Sequence, residues 1–153
     1  MRRLDTSFED ADDSAGLLLW QVTNRWQAAQ RAVLGPFGLT HVQFVLLASL
    51  AWLSSDRGDA EPVSQRVLAD QAATDPMMTS QVVRALEAKG WLVRERHPDD
   101  GRAFSLRITD AGVALVQRAN VSVEQCDEDF FAALGARSAG FRRALKTLRD
   151  SRG

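Results

Sequence analysis

Residues 86–112, LEAKGWLVRERHPDDGRAFSLRITDAG, contain a change of hydrophobic period that decides the fold. The segment opens with the end of a helical pattern and with Gly90, a residue type that commonly follows the last turn of a helix. On both sides of the turn sequence HPDDG, apolar and polar side chains alternate, which is typical of a β-hairpin. Thr109 is placed to cap a new helix. The segment therefore predicts two antiparallel strands, at 91–96 and 103–108, between two helices.

Helical periodicity accounts for most of the remaining chain. Apolar side chains recur at steps of three and four, the spacing of one helix face. The predicted helices cover residues 14–35, 40–53, 64–72, 76–89, 109–135 and 138–149, and residues 54–62 are predicted to be a loop. The second helix is apolar nearly all round, so we expect it to be buried, including Trp52. Ser14, Thr40 and Asp75 can serve as N-caps. The predicted fold class is mainly α with a small β-hairpin.

Composition excludes several classes of protein. The 153 residues suit a single domain, and a net charge of −1 excludes a uniformly basic coat for nucleic acid but leaves room for a local basic patch. The longest apolar stretch, residues 42–53, is shorter than the roughly 20 residues that a membrane span requires. The N-terminus, MRRLDTSFEDADD, turns acidic at once, unlike a signal or transit peptide. We therefore expect a cytoplasmic protein without a membrane segment.

The supply of reactive side chains is small. Cys126 is the single cysteine, so an intramolecular disulfide is excluded, and one cysteine with two histidines argues against a structural zinc site. The sequence contains no recognisable pairing of a nucleophile with a base, no paired-carboxylate site and no phosphate-binding glycine loop. We expect neither an enzyme nor a bound metal or cofactor.

The order of elements over residues 38–108 is helix, short helix, helix and hairpin, which predicts a helix-turn-helix lobe with the hairpin as its wing. The helix at 76–89 would enter the major groove of double-stranded DNA with its outer face toward the bases. Gln81 suits adenine and Arg84 suits guanine, whereas two methionines could contact thymine methyl groups. The candidate contacts on this helix are Met77, Met78, Thr79, Ser80, Gln81 and Arg84.

Further candidate DNA contacts flank that helix. Ser64 and Gln65 begin the short helix, where they either bind a phosphate or only cap the helix. Arg94 and Arg96 lie on the first strand of the hairpin, and one of them is expected to contact a phosphate. At the hairpin tip, Arg102 suits the negative potential of the minor groove, and Asp100 can hold its guanidinium in place.

Two segments resemble the MarR-type winged helix-turn-helix regulators. Residues 38–47, GLTHVQFVLL, resemble the second helix of that family. Residues 86–112 resemble its wing, with Asp-x-Arg at 100–102 and Thr-x-x-Gly at 109–112. The resemblance extends over about residues 14–149 of the domain, 1–153. It implies a homodimer formed by helices at 14–35 and 109–149. Such a dimer would read a pseudo-palindromic operator, usually as a repressor released by a small aromatic or phenolic effector or by oxidation.

The resemblance also implies a ligand cleft between the dimerisation helices and the DNA-binding lobe. Its candidate residues are Trp20, Asn24, Gln27, Phe37, His41 and Phe44. Simpler roles remain open, because His41 could be a core histidine and Trp20 could pack in the core or the dimer. Cys126 is expected to be a small apolar side chain, since its acidic neighbours oppose a thiolate. The alternative function is a winged-helix module for protein–protein dimerisation that does not bind DNA.

Overall fold

Six α-helices and three short strands make up the part of the chain that the computed structural model describes, residues 3–57, 62–96, 99, 101 and 103–151. The helices are α1 (Ala15–Leu34), α2 (His41–Arg57), α3 (Gln65–Ala72), α4 (Pro76–Ala88), α5 (Asp110–Phe131) and α6 (Ser138–Asp150). The strands are β1 (Val63–Ser64), β2 (Leu92–Arg96) and β3 (Phe104–Ile108), and short 3-10 turns occupy Ala11–Asp13, Gly35–Phe37 and Ala132–Arg137. The predicted fold class, mainly α with a small β wing, is confirmed.

The predicted N-caps all form. The side chains of Ser14, Asp75 and Thr109 each accept a hydrogen bond from a backbone amide three residues further on, at 3.2, 2.8 and 3.1 Å. At the start of α2 the bonding is reciprocal, because Gln43 N donates to Thr40 Oγ1 and Thr40 N donates to Gln43 Oε1. A cap of this kind stabilises a helix by about 1 kcal/mol. Local sequence thus sets where these four helices begin.

The sheet has three antiparallel strands in the order β1-β3-β2, whereas the sequence predicted only the β2–β3 hairpin. In the added strand, Val63 pairs with Leu106 and Ser64 pairs with Ser105. A strand of two residues is too short for an alternating pattern to reveal it. Ser64 also caps α3, so β1 ties the start of α3 to the wing.

Two predictions about α2 were wrong. The helix continues to Arg57, past residue 54 where a loop was expected. The hydroxyls of Ser54 and Ser55 donate to the carbonyls of Leu50 and Ala51, at 2.7 and 2.9 Å, so both serines are accommodated within the helix. Trp52 is 67% exposed rather than buried, since only part of the circumference of α2 faces the core.

The main core forms around α2. Leu46, Leu47 and Leu50 are fully buried, and α2 packs against α3, α4, α5 and β3. In contrast, α6 contains no buried residue, and its apolar side chains are largely open to solvent. Within the described ranges no single helix is long and apolar enough to cross a membrane, although Ala15–Phe37 and His41–Ser55, bent by 75°, pass that test as a pair.

The base of the wing packs directly on the start of α5. Thr109 Oγ1 donates to the carbonyl of Gly90 at 2.7 Å, and Thr109 N donates to the carbonyl of Trp91 at 3.1 Å. A Cβ atom at Gly112 would collide with the same Trp91 carbonyl oxygen. The Thr-x-x-Gly motif therefore has a structural role, since its threonine bonds the wing and its glycine admits the backbone at close range.

Candidate nucleic-acid interface

The first turn of α4 is held rigidly. Asp75 caps the helix, Pro76 occupies its first position, and Thr79 anchors it to the core. Thr79 is fully buried, its Oγ1 donates to the Asp75 carbonyl at 2.8 Å, and the same oxygen lies 2.7 Å from Thr74 Oγ1. The prediction that Thr79 contacts DNA was wrong. Its side chain belongs to the inner face of α4, and both hydrogen-bonding roles of its hydroxyl are taken by the turn.

The outer face of α4 is open to solvent along its length. Met77 is 73% exposed and Met78 is 44% exposed, Gln81 and Arg84 are also exposed, and Ser80 is partly exposed. Residues 77, 81 and 84 follow one another at steps of four and three, so their side chains form a line on one side of the helix. These five residues lie where the sequence predicted a reading surface.

The Arg94 side chain packs against the protein and does not extend into solvent, where a phosphate contact was predicted. Its side chain is only 17% exposed, and the guanidinium lies over the Phe104 ring, 4.2 Å from the ring centroid. Its backbone amide donates to Glu87 Oε2 at 3.0 Å, and its Nε lies 4.0 Å from Glu87 Oε1. The candidate phosphate contact at Arg94 is therefore corrected, because this side chain joins the end of α4 to the sheet.

Arg96 remains available at the surface. It is exposed, and its Nη1 donates to the carbonyl of Gly101 across the hairpin at 2.6 Å. A guanidinium has five N–H donors, so this bond leaves others free for a phosphate. Of the two strand arginines, the structure favours Arg96 as the exposed cation. The predicted pair at the wing tip, Asp100 and Arg102, lies outside the described residues.

Ser64 and Gln65 lie beside a cavity of about 490 Å³ between α3, the first turn of α4 and β3. Ser64 Oγ accepts from Val67 N at 3.1 Å, which is the capping role. The hydroxyl hydrogen is not used in that bond, so a phosphate contact stays compatible with capping. Gln65 is half-buried at the same edge. Both residues therefore lie on the same side of the lobe as the start of α4.

A polar junction joins α1, α2 and α5. Trp26 Nε1 and Gln30 Nε2 both donate to Asp127 Oδ1 at 2.7 Å, and Gln30 is fully buried. His41 packs edge-on against Trp26, with ring centroids 4.9 Å apart. Burial lowers the pKa of His41 below its ordinary value, Asp127 opposes that shift and Arg31 reinforces it. This junction connects the first helix of the lobe to the two predicted dimerisation helices.

Sequence reasoning missed Asp127 as the centre of this junction. In the sequence it is one of the acidic neighbours of Cys126. The signal was present, because position 127 continues the buried stripe Val116, Ala119 and Val123 at steps of three and four. A carboxylate on an otherwise apolar stripe indicates buried donors on the facing helix. Burial raises the pKa of the Cys126 thiol, and the negative charges of Asp127 and Asp129 raise it further. The direction agrees with the sequence argument that acidic neighbours oppose a thiolate.

The six candidate ligand residues do not share one environment. Phe44 is buried in the main core. Phe37 packs against that core, while Gln27 and His41 are half-buried. Trp20 and Asn24 are exposed, and the Asn24 amide donates to the Trp20 carbonyl at 2.7 Å. That these six residues line a ligand cleft stays a prediction.

A second cavity of about 900 Å³ runs between α5 and α6. Its walls combine apolar side chains with three acidic residues and one arginine. The lining includes Val121, Phe131, Phe141 and Leu145, with Glu124, Asp127, Glu128 and Arg142. This groove lies on the helices that the sequence assigned to dimerisation.

A capped helix with an open polar face, preceded by a short helix and followed by a β wing, defines a winged helix-turn-helix protein. A sequence model of the MarR family matches residues 39–104. The chain is 42% identical over 128 residues to the uncharacterized HTH-type transcriptional regulator YdcH of Bacillus subtilis, which covers 84% of this chain and 85% of YdcH. The chain belongs to the MarR family and is a DNA-binding transcriptional regulator.

Two further proteins of this kind are similar over most of the chain. The HTH-type transcriptional repressor NicR of Pseudomonas putida is 29% identical over 146 residues, covering 95% of this chain and 85% of NicR. A solved structure of Bordetella bronchiseptica BpsR, whose DNA binding is regulated by 6-hydroxynicotinic acid, superposes with a TM-score of 0.83. That match has 24% identity and covers 95% of this chain and 100% of BpsR.

Proposed function

We propose that the protein is a homodimeric, ligand-responsive repressor that reads a pseudo-palindromic operator. The observation that carries the proposal is the exposed line of Met77, Gln81 and Arg84 on a rigidly capped helix. Two copies of α4 related by a two-fold axis would enter successive major grooves about 34–36 Å apart. The similarity to NicR, which is named a transcriptional repressor, supports repression rather than activation of transcription.

Each of the five candidate side chains on the outer face of α4 has a chemical role in this proposal. Gln81 can bond an adenine edge through two hydrogen bonds, and Arg84 can do the same at a guanine. Met77 and Met78 supply apolar contact with thymine methyl groups. Ser80 bonds a base edge or a phosphate. The α4 face would therefore carry most of the sequence discrimination.

Phosphate contacts would orient the lobe on the duplex. Ser64 and Gln65 would bind the backbone beside the start of α3, and Arg96 would bind it from the wing. Arg102, held by Asp100, would enter the adjacent minor groove. Because Arg96 and Arg102 are cations that would displace counterions from the duplex, their contacts would make binding weaken as salt rises.

Exposed apolar side chains on the terminal helices support a homodimer. The dimerisation region would comprise residues 14–35 and 109–149, and the DNA-binding lobe residues 38–108. The large exposed apolar side chains are Leu17, Leu18, Leu19, Trp20 and Val22 on α1, Val121 on α5, and Leu145 and Leu148 on α6. A partner copy would remove these surfaces from water, a favourable exchange of roughly 25 cal/mol per Å² before the cost of association.

A small aromatic or phenolic effector would act at the junction of α1, α2 and α5. Trp26, His41 and Asp127 meet there, and they offer an aromatic face, an imidazole and a carboxylate. An effector that separates these helices would change the distance between the two recognition helices. The coupling between effector and DNA would then be reciprocal, typically 1–3 kcal/mol. The regulation of BpsR by 6-hydroxynicotinic acid supports this class of ligand.

The remaining assignments follow from the class of the relatives. YdcH and NicR are transcriptional regulators, so we assign this protein a non-catalytic role in the cytoplasm, where it can meet DNA. The alternative, a protein-interaction module without DNA binding, is not favoured by the family match.

Binding to the promoter beside the protein's own coding sequence tests the proposal. Fluorescence anisotropy at several salt concentrations would compare the wild type with Arg84→Ala and with Arg118→Ala, an exposed arginine of α5 away from the proposed reading face. Size-exclusion chromatography would first check that both variants keep the oligomeric state of the wild type. We expect Arg84→Ala to weaken specific binding by about 1–3 kcal/mol and the control to bind normally. If the wild type prefers neither this DNA nor any genomic fragment over random sequence, the alternative function stands instead.

A further inference from the structure

The two internal methionines of the chain occupy one place. Besides Met1, the sequence contains only Met77 and Met78. Both lie in the first turn of α4, and both are exposed, at 73% and 44%. The other exposed side chains of the reading face, Gln81 and Arg84, are polar, so the two thioethers are its apolar part. This concentration of thioethers coincides with the proposed DNA-reading face.

The backbone beneath these side chains is fixed. Met78 N donates to Asp75 Oδ1 at 2.8 Å, and Thr79 is buried with its hydroxyl bonded to the Asp75 carbonyl. A change in the chemistry of either thioether therefore occurs on a turn that does not need to move. The outward position leaves both sulfur side chains accessible to small solutes.

We infer that Met77 and Met78 form an oxidation site that regulates operator binding. This inference rests on the proposed reading of the operator by α4. A two-electron oxidant, hydrogen peroxide or hypochlorous acid, would transfer one oxygen atom to the sulfur. The O–O or O–Cl bond breaks, the sulfur becomes a sulfoxide, and water or chloride with a proton leaves. Methionine sulfoxide reductases, with a dithiol as the two-electron reductant, return the sulfoxide to the thioether and release its oxygen as water, so the site can switch.

Sulfoxide formation opposes DNA binding for two physical reasons. The thioether is apolar and suits a thymine methyl group, whereas the sulfoxide is strongly polar and would lose hydration in that contact. Its oxygen also carries partial negative charge and would approach an anionic duplex. The cost of one lost base contact corresponds to roughly 5- to 150-fold in affinity. We expect operator affinity to fall on the order of tenfold.

The thiol of the chain is a poorer candidate for oxidation. Cys126 is half-buried on α5, and its surroundings disfavour the thiolate that oxidants attack. Methionine oxidation requires no ionisation, so the exposed thioethers react without that obstacle. A Cys126→Ser background separates the two chemistries in an experiment.

The test compares operator affinity before and after oxidation in the full chain carrying Cys126→Ser. The protein is treated with hydrogen peroxide or hypochlorous acid, and peptide mass mapping follows the gain of one oxygen at residues 77 and 78. Anisotropy then measures the ratio of dissociation constants, oxidised to unoxidised. Circular dichroism checks that helix content is retained, and methionine sulfoxide reductases for both epimers should restore affinity.

A double variant, Met77→Leu with Met78→Leu, supplies the matched comparison. Leucine keeps an apolar side chain of similar volume but has no sulfur. Each protein is compared only with its own unoxidised form, so a change in basal affinity does not affect the ratio. We expect a ratio near one for this variant and near ten for the methionine protein.

The possible outcomes distinguish a failure of the oxidation site from a failure of the proposed operator binding. A large ratio in the methionine protein, reversed by the reductases and absent from the leucine variant, supports the site. An unchanged ratio despite complete oxidation of residues 77 and 78 overturns it, as does an equal loss in both proteins. If the unoxidised protein has no operator anywhere in the genome, the proposed function fails and the inference fails with it.

Discussion

Replacement of Asp127 by alanine tests whether the polar junction holds the lobe to the terminal helices. One oxygen, Asp127 Oδ1, accepts hydrogen bonds from Trp26 Nε1 and Gln30 Nε2, each at 2.7 Å. Gln30 is fully buried, so the substitution leaves a buried amide donor without its acceptor. A hydrogen bond to a charged group contributes about 1.5–3 kcal/mol, and two bonds to one oxygen are not fully additive.

We therefore expect Asp127→Ala to lower the free energy of unfolding by about 3 kcal/mol. Urea denaturation followed by circular dichroism measures this value, at one fixed protein concentration because dimerisation would shift the midpoint. Asp129→Ala is the control, since Asp129 lies on the same helix and accepts an exposed hydrogen bond from Gln125 at 3.0 Å. That control should cost about 0.5 kcal/mol or less. Equal stability of the two variants would refute the role assigned to the junction.

Three further predictions concern single side chains. Gly112→Ala should destabilise the fold by about 2 kcal/mol or more, because its Cβ would strike the Trp91 carbonyl oxygen. Thermal unfolding measures this loss, with Gly140→Ala as the control, since a Cβ at Gly140 has room. Burial keeps the pKa of His41 below its ordinary value of 6.5, so near that pH the unfolded chain binds more protons than the folded one. The free energy of unfolding should therefore fall as pH drops below about 6.5, and His41→Asn should remove that part of the pH dependence. Thr79→Val should cost about 1–3 kcal/mol in stability while retaining base preference, and altered base preference would return this residue to the reading surface.

Local features of the sequence predicted much of the fold. The caps at Ser14, Thr40, Asp75 and Thr109 form, and the wing lies between the helices where the period changes. Such features are readable because a cap or a turn involves residues only a few positions apart. The outer face of α4 could also be predicted, because the helical period that places the apolar side chains inside places the remaining residues outside.

Only the tertiary structure decided the features that depend on a distant partner. Arg94 turns inward because its guanidinium lies over the Phe104 ring and its backbone amide donates to Glu87. β1 forms because its two residues pair with the edge of β3, some forty positions further along the chain.

Asp127 shows the same limit over a longer distance, since its partners on α1 are about a hundred positions away in the chain. The sequence by itself determined where the helices begin and which face of α4 is polar, because those properties follow from local bonding and periodicity. Which polar side chains remain available to DNA was decided by packing, because a buried donor or acceptor must be satisfied by whichever group the fold places beside it.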